Sequence, residues 1–192
     1  GSLTLGNLIV EPFAVSHDAA DPIGINVFAG KDKATVVTDT GVISDSILHR
    51  MDDTTLLVLE ANYDPHMLRF GPYQPFLKQR VASDEGHLSN EMAAQALLMM
   101  NRPDFMQVIL AHRSENNNNA VLVTQTIGKM LVDGGVRIAT DNDDDVVVDD
   151  DNVPQLSPLL SLEPLIDCDD SIDDLTTIDC CGVVDGDCID SP

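Results

Sequence analysis

The chain has 192 residues, of which 43% are hydrophobic, enough for one domain with a real core. No apolar run approaches the roughly 18 residues of a membrane span, and no basic segment precedes a short apolar one as in a secretory leader, so the expected compartment is the cytoplasm, with no membrane partner. The net charge of −23 is uneven: all ten Lys and Arg lie at or before Arg137, and 17 acidic residues with no base follow it. Residues 1–137 carry 16 acidic against 10 basic residues, a net of −6 that disfavours nonspecific binding to phosphates.

In chain order, Leu8 to Val15 reads as a strand, with Glu11-Pro12 marking an edge or bulge. His17 follows at once. Asp18 to Pro22 is a turn, and Gly24 to Ala29 is the next strand. Gly30-Lys31-Asp32-Lys33 has hairpin chemistry, and Ala34 to Thr38 returns to Asp39. Ser44 or Asp45 caps a short helix through Met51. Thr55 to Glu60 is an apolar strand. Asp64 then caps a helix with Pro65 at its first position, and Pro75 to Val81 starts another. The spacing of Ala93, Ala96, Leu97 and Met100 predicts a buried helical stripe over about 91–100. Gln107 to Ala111 is a strand ending at His112, and 113–119 a polar loop. Val121 to Leu131 is an amphipathic helix stopped by Gly134-Gly135, and Val136 to Ala139 a last short strand.

After Thr140 the character changes to Asp-rich sequence without periodicity, and residues 141–192 read as a disordered acidic tail that does not pack on the core. It holds all four cysteines, Cys168, Cys180, Cys181 and Cys188, with no Cys-x-x-Cys pair and no nearby His, so free thiols are expected. No window matches a calcium-binding loop.

Four short apolar runs end in a titratable group: His17, Asp39, Glu60 and His112. Buried strands closed in this way describe an α/β site at strand C-termini. His17, Asp39 and His112 offer two imidazole nitrogens and a carboxylate able to bridge two cations, which is the ligand chemistry of a dinuclear zinc or manganese hydrolase.

The segments Ser16-His17-Asp18-Ala19, Thr38-Asp39-Thr40-Gly41, Leu59-Glu60-Ala61-Asn62-Tyr63-Asp64, Gly86-His87-Leu88-Ser89-Asn90 and Leu110-Ala111-His112-Arg113-Ser114 occur in that order. With Met67-Leu68-Arg69, Gly71-Pro72-Tyr73 and Leu77-Lys78-Gln79-Arg80 between them, they resemble the C-terminal half of WalJ/YycJ-like proteins of the metallo-β-lactamase fold. The resemblance covers residues 3–140 and implies a partial αββα sandwich of class α/β, one C-terminal half-domain over 1–140. It implies a hydrolase, a phosphodiesterase or nuclease acting on DNA or RNA through a water activated by two metals. His17 would hold the first metal, Asp39 both, and His112 the second. His87 would donate to a substrate phosphate or leaving group, with Asp39 also at the chemistry. Glu60 and Asn62 would orient ligands, and Lys78, Arg80, Ser89, Asn90 and Arg113 would meet substrate. The family's His-x-His-x-Asp-His motif is absent, so the chain reads as a fragment holding three of seven protein ligands, inactive alone and active beside a separate N-terminal half. The alternatives are a hydrolase of small esters or lactones and a non-catalytic interaction module.

Overall fold

The computed structural model describes residues 1–139 and the backbone of 159–167. They build one eight-stranded sheet: β1 (Leu3–Leu5), β2 (Leu8–Ala14), β3 (Ile23–Ala29), β4 (Asp32–Val37), β5 (Leu56–Glu60), β6 (Phe105–Arg113), β7 (Arg137–Ala139) and β8 (Leu159–Asp167). Strands β1 to β4 form an antiparallel meander, and β4, β5, β6, β8 and β7 follow in that order, all parallel. The β3–β4 hairpin turns at Gly30 with φ +65°, a backbone a side chain resists, as the sequence led one to expect.

The strand directions place the site. Two antiparallel steps, β2 to β3 and β3 to β4, leave β2 pointing the same way as β4, β5 and β6. The residues that follow these four strands therefore emerge at one edge of the sheet, where α/β folds place their ligands.

Helices α1 (Asp45–Met51), α4 (Asn90–Met99) and α5 (Ala120–Asp133) supply one layer. Ile47 and Met51, Ala93 and Leu97, and Val123, Ile127 and Leu131 pack in one core with Val37, Leu57, Leu59, Val108 and Leu110 of the sheet. Each fully buried aliphatic side chain contributes about 1.5–3 kcal/mol. The caps follow sequence rules: Ser44 accepts from the Ile47 N–H, Asp64 from Met67 and Asn119 from Leu122. Two short helices, α2 (Pro65–Phe70) and α3 (Pro75–Val81), form a separate hairpin held by Tyr63, Leu68 and Val81, with Tyr73 and Leu77 against them.

The opposite face of the sheet is apolar as well. Register puts Pro12, Ile25, Val36, Val58 and Ile109 on one row and Val10, Val27, Ala34 and Leu56 on the next, and none belongs to the buried core. Strands apolar on both faces belong in a sheet covered on both. The fold is thus α/β, one sheet and one helical layer of a sandwich.

One strand was not anticipated, and one expectation is corrected. Leu3–Leu5 is a strand that local periodicity did not show. Leu159–Asp167, expected to stay off the core, runs between β6 and β7. Its register with β6 slips beside Pro164, which has no N–H to donate. The remaining tail expectations, including the four cysteines, fall on 140–158 and 168–192, outside the described residues.

Candidate metal centre

Asp39 and His112 both have φ +55°, in the left-handed region where Asp and His are several-fold enriched over other side chains but still uncommon. Each stands just past an apolar strand or at its end, so the left-handed residue turns the chain sharply as it leaves the sheet. His17 lies past the end of β2 at Ala14, without a left-handed backbone. The three converge: Asp39 Oδ1 lies 3.8 Å from His17 Nε2 and 3.5 Å from His112 Nε2. One carboxylate oxygen thus stands between two imidazoles.

The hydrogen bonds fix which nitrogen each ring presents. His17 Nδ1 is 3.1 Å from the Gly86 carbonyl, which only accepts, so Nδ1 carries a proton and Nε2 is the nitrogen that faces Asp39. Glu60 does the same for two rings at once. Its Oε1 lies 2.8 Å from His112 Nδ1 and 2.7 Å from His87 Nδ1, and its Oε2 accepts from the Thr40 N–H at 3.0 Å. Glu60 is 0% exposed. Burial would raise its pKa, but the hydrogen bonds from His112 and His87 outweigh it and hold the carboxyl below the usual carboxylate range. A buried anion in contact with two rings sets their tautomer and tilt, as outer carboxylates do at metal-binding histidines.

His87 comes closer to the ligands than expected. Its ring centre is 5.1 Å from those of both His17 and His112, and one ligand atom each from Asp39, His87 and His112 lie within 4.8 Å of one another. This is a set that could hold a metal ion, and two imidazoles and an aspartate are donors that suit a divalent transition metal.

Backbone contacts lock the edge together. The Ser16 N–H donates to Thr40 Oγ1 at 3.2 Å, and the Gly41 N–H to the Ser16 carbonyl at 3.0 Å. Gly41 lies so close to the 83–84 turn that a Cβ would sit 2.1 Å from the Ser83 carbonyl oxygen, so no larger residue fits without moving the loop that leads to His87.

The other expected site residues play different parts. Asn62 donates to the His112 carbonyl at 2.8 Å and so holds the left-handed turn. Ser89 and Asn90, expected to meet substrate, are buried. Ser89 caps α4 through the Met92 N–H, and Asn90 exchanges amide hydrogen bonds with Asn118. Lys78 donates to the carbonyls of Arg69 and Gly71 at 2.9 and 2.8 Å, closing the C-terminus of α2. Arg80 forks onto Asp18, with Nη2 at 3.2 Å from Oδ1. That hydrogen bond lowers the Asp18 pKa despite partial burial. Arg113 is half-buried directly after His112.

Sequence reasoning missed Asn118. The 113–119 loop looked solvated, yet Asn118 is 2% exposed and donates to the carbonyls of Ala61 and Asn62. A run of four Asn gives no local signal of which one turns inward.

A sheet with His, Asp, Glu and His at the ends of four co-directional strands, tied by Asp39 between His17 and His112 and by buried Glu60 on His112, defines an α/β protein with a candidate metal site. The chain belongs to the β-lactamase superfamily domain family, whose model matches residues 1–113. It is 36% identical over 135 residues to the exodeoxyribonuclease YycJ of Bacillus anthracis, covering 70% of this chain and 51% of that one. It is 34% identical over 138 residues to the exodeoxyribonuclease WalJ of Streptococcus pneumoniae serotype 2, covering 72% and 51%. The chain spans about half the length of these curated relatives. Among solved structures it resembles the metallo-β-lactamase fold protein YhfI of Bacillus subtilis, with TM-score 0.53 and 13% identity over 85% of this chain and 50% of that one, a likeness of fold. Among the described residues no helix is long and apolar enough to cross a membrane.

Proposed function

We propose that this chain carries one side of a two-cation hydrolytic centre acting on the phosphodiester bonds of DNA. The observation that carries the reading is Asp39 Oδ1 standing between the Nε2 atoms of His17 and His112. His17 and Asp39 would hold one cation, Asp39 and His112 the other, with His87 close enough to join the second pair. Divalent cations such as zinc or manganese supply Lewis acidity and a water that ionises near neutral pH. The chain's own residues do the rest. Glu60 keeps the Nδ1 protons of His87 and His112 in place. His87, braced by that carboxylate, donates a proton to the departing oxygen when its ring is protonated. Arg113, next to His112, meets the scissile phosphate. The DNA substrate is supported by the names of the two relatives, both exodeoxyribonucleases.

Ligand arithmetic favours completion by another segment. The two side chains of the His17–Asp39 pair fall short of the three that catalytic zinc sites take from protein, and the Asp39–His112 pair reaches three only with His87. The apolar second face of the sheet gives such a segment a place to pack, and the half-length match to the relatives supports the reading.

Titration of the purified chain with Mn²⁺ or Zn²⁺, followed by calorimetry, tests the centre. Binding weaker than at a complete catalytic site is expected, and Asp39→Ala should remove it. Equal binding by the parent chain and Asp39→Ala would mean that the cations sit elsewhere.

A further inference from the structure

The α2–α3 hairpin has a composition unlike the rest of the chain. Residues 65–83 hold three of the ten bases, Arg69, Lys78 and Arg80, and no acid, in a chain of net charge −23. They also display two large apolar side chains to solvent: Phe70 is 68% exposed and Phe76 71%. Neither belongs to the small core of the hairpin, which Tyr63, Leu68 and Val81 fill. Arg69 lies over the Phe70 ring at 5.4 Å from its centre, and the His66 ring is 4.7 Å from it. Lys78 ties the two helices into one unit by bonding the carbonyls that flank Phe70. Between the helices lies an open cavity of about 350 Å³ lined by Tyr63, Leu68, Arg69 and Lys78 among others.

The hairpin is continuous with the metal centre. Arg80, at the end of α3, pairs with Asp18, whose carboxylate is 3.6 Å from His17 Nε2. The Val81 carbonyl accepts from the His87 N–H at 2.9 Å. Tyr63, ahead of α2, bridges to Ser89 in the loop that carries His87.

We propose that the α2–α3 hairpin is a binding platform for single-stranded DNA, with Phe70 and Phe76 stacking on unpaired bases and Arg69 and Lys78 offsetting the backbone charge. The inference rests on the nuclease reading for its substrate and adds the surface that holds the strand beside the centre. Exposed aromatic rings among cations are the means by which proteins hold single strands without regard to sequence, because every base has a stacking face. A duplex keeps its bases stacked on one another and offers these rings little. The charge contrast commits the surface to a polyanion rather than to an apolar peptide: the basic, acid-free stretch 65–83 of a very acidic chain carries the two most exposed phenylalanines, Phe70 and Phe76.

The test is fluorescence anisotropy of the 192-residue chain with a labelled oligothymidylate in EDTA, which removes cation chemistry from the measurement. Phe70→Ala and Phe76→Ala should each weaken binding about tenfold or more, as loss of a stacked base does. Phe70→Leu, which keeps the apolar bulk, should weaken it nearly as much, and a duplex of the same length should bind less tightly than the single strand. Both rings are exposed, so the variants should keep the parent's circular dichroism and melting temperature. Unchanged affinity in Phe70→Ala and Phe76→Ala, full affinity in Phe70→Leu, preference for duplex, or no binding by the parent overturns the platform. The two readings separate cleanly. Phenylalanine-dependent binding without any metal-dependent cleavage, even when the chain is coexpressed with a segment matching the other half of the relatives, sinks the nuclease and keeps the platform, whereas cleavage by that pair with phenylalanine-independent binding does the reverse.

Discussion

Glu60→Ala should unfold at a much lower urea concentration than the parent, with a loss of about 3–5 kcal/mol, the range found when one partner of a buried charged pair is removed. Glu60 is fully buried and is the acceptor for three donors: the Nδ1 atoms of His87 and His112 and the backbone N–H of Thr40. Truncation leaves all three without that acceptor, and a buried unsatisfied donor costs about 1–3 kcal/mol. Glu60→Gln keeps the volume but must point an amide N–H₂ at either the histidines or Thr40, donor against donor, so it should lie between alanine and parent. Cation affinity should fall more than stability suggests. With the rings free to turn, both variants should bind Mn²⁺ or Zn²⁺ about ten- to a hundredfold more weakly, the scale of outer-carboxylate losses at metal centres. Urea unfolding followed by two probes, and cation titration of the folded variants, give the two numbers. Alanine within about 0.5 kcal/mol of the parent would show that the carboxylate does not brace the site.

The second large effect is on activity. DNA hydrolysis by the 192-residue chain alone should be near background, and coexpression with a segment matching the other half of the YycJ or WalJ relatives should raise it. In that pair, His112→Ala should return it to background. His112 Nε2 is one of the two imidazole atoms beside Asp39, and its Nδ1 is one of the two that Glu60 holds, so the substitution removes a donor and unbraces a neighbour together. Strong cation-dependent hydrolysis by the chain alone, lost on Asp39→Ala, would overturn the completion argument. His87 would then fill a ligand position within this chain.

What the sequence made legible was whatever depends on near neighbours. Apolar runs of strand length ending in His17, Asp39, Glu60 and His112 were visible because a strand's burial and its abrupt end both sit within a few residues. The caps at Ser44 and Asp64 obey equally local rules. Relations across many residues were not legible. Nothing near Glu60 says that it accepts from rings 27 and 52 positions on. Lys78 and Arg80 were expected to meet substrate because a base on a helix has no sequence mark for the carbonyl or carboxylate it finds. The contacts of Ser89 and Asn90 were not legible for a related reason: helix capping and amide pairing use the same polar groups that would hold a phosphate. Asn118 turned inward to satisfy carbonyls at the end of β5, a demand set by the sheet and invisible in the loop.

The split sheet also bears on how the molecule comes together in time. The β1–β4 meander pairs residues close in sequence, whereas β5 pairs with β6 across about fifty residues, as Leu57 with Val108. Loop closure is entropically dearer for the second set, and chains rich in such contacts fold slowly. We therefore expect the meander to nucleate and the parallel half to dock late, with Glu60, His87 and His112 meeting near the end. Stabilisation gained there would slow unfolding and leave the folding rate almost untouched. Kinetic φ-values should be high for Val27→Ala and low for Val108→Ala, and the reverse order would show that the helices and parallel strands assemble first.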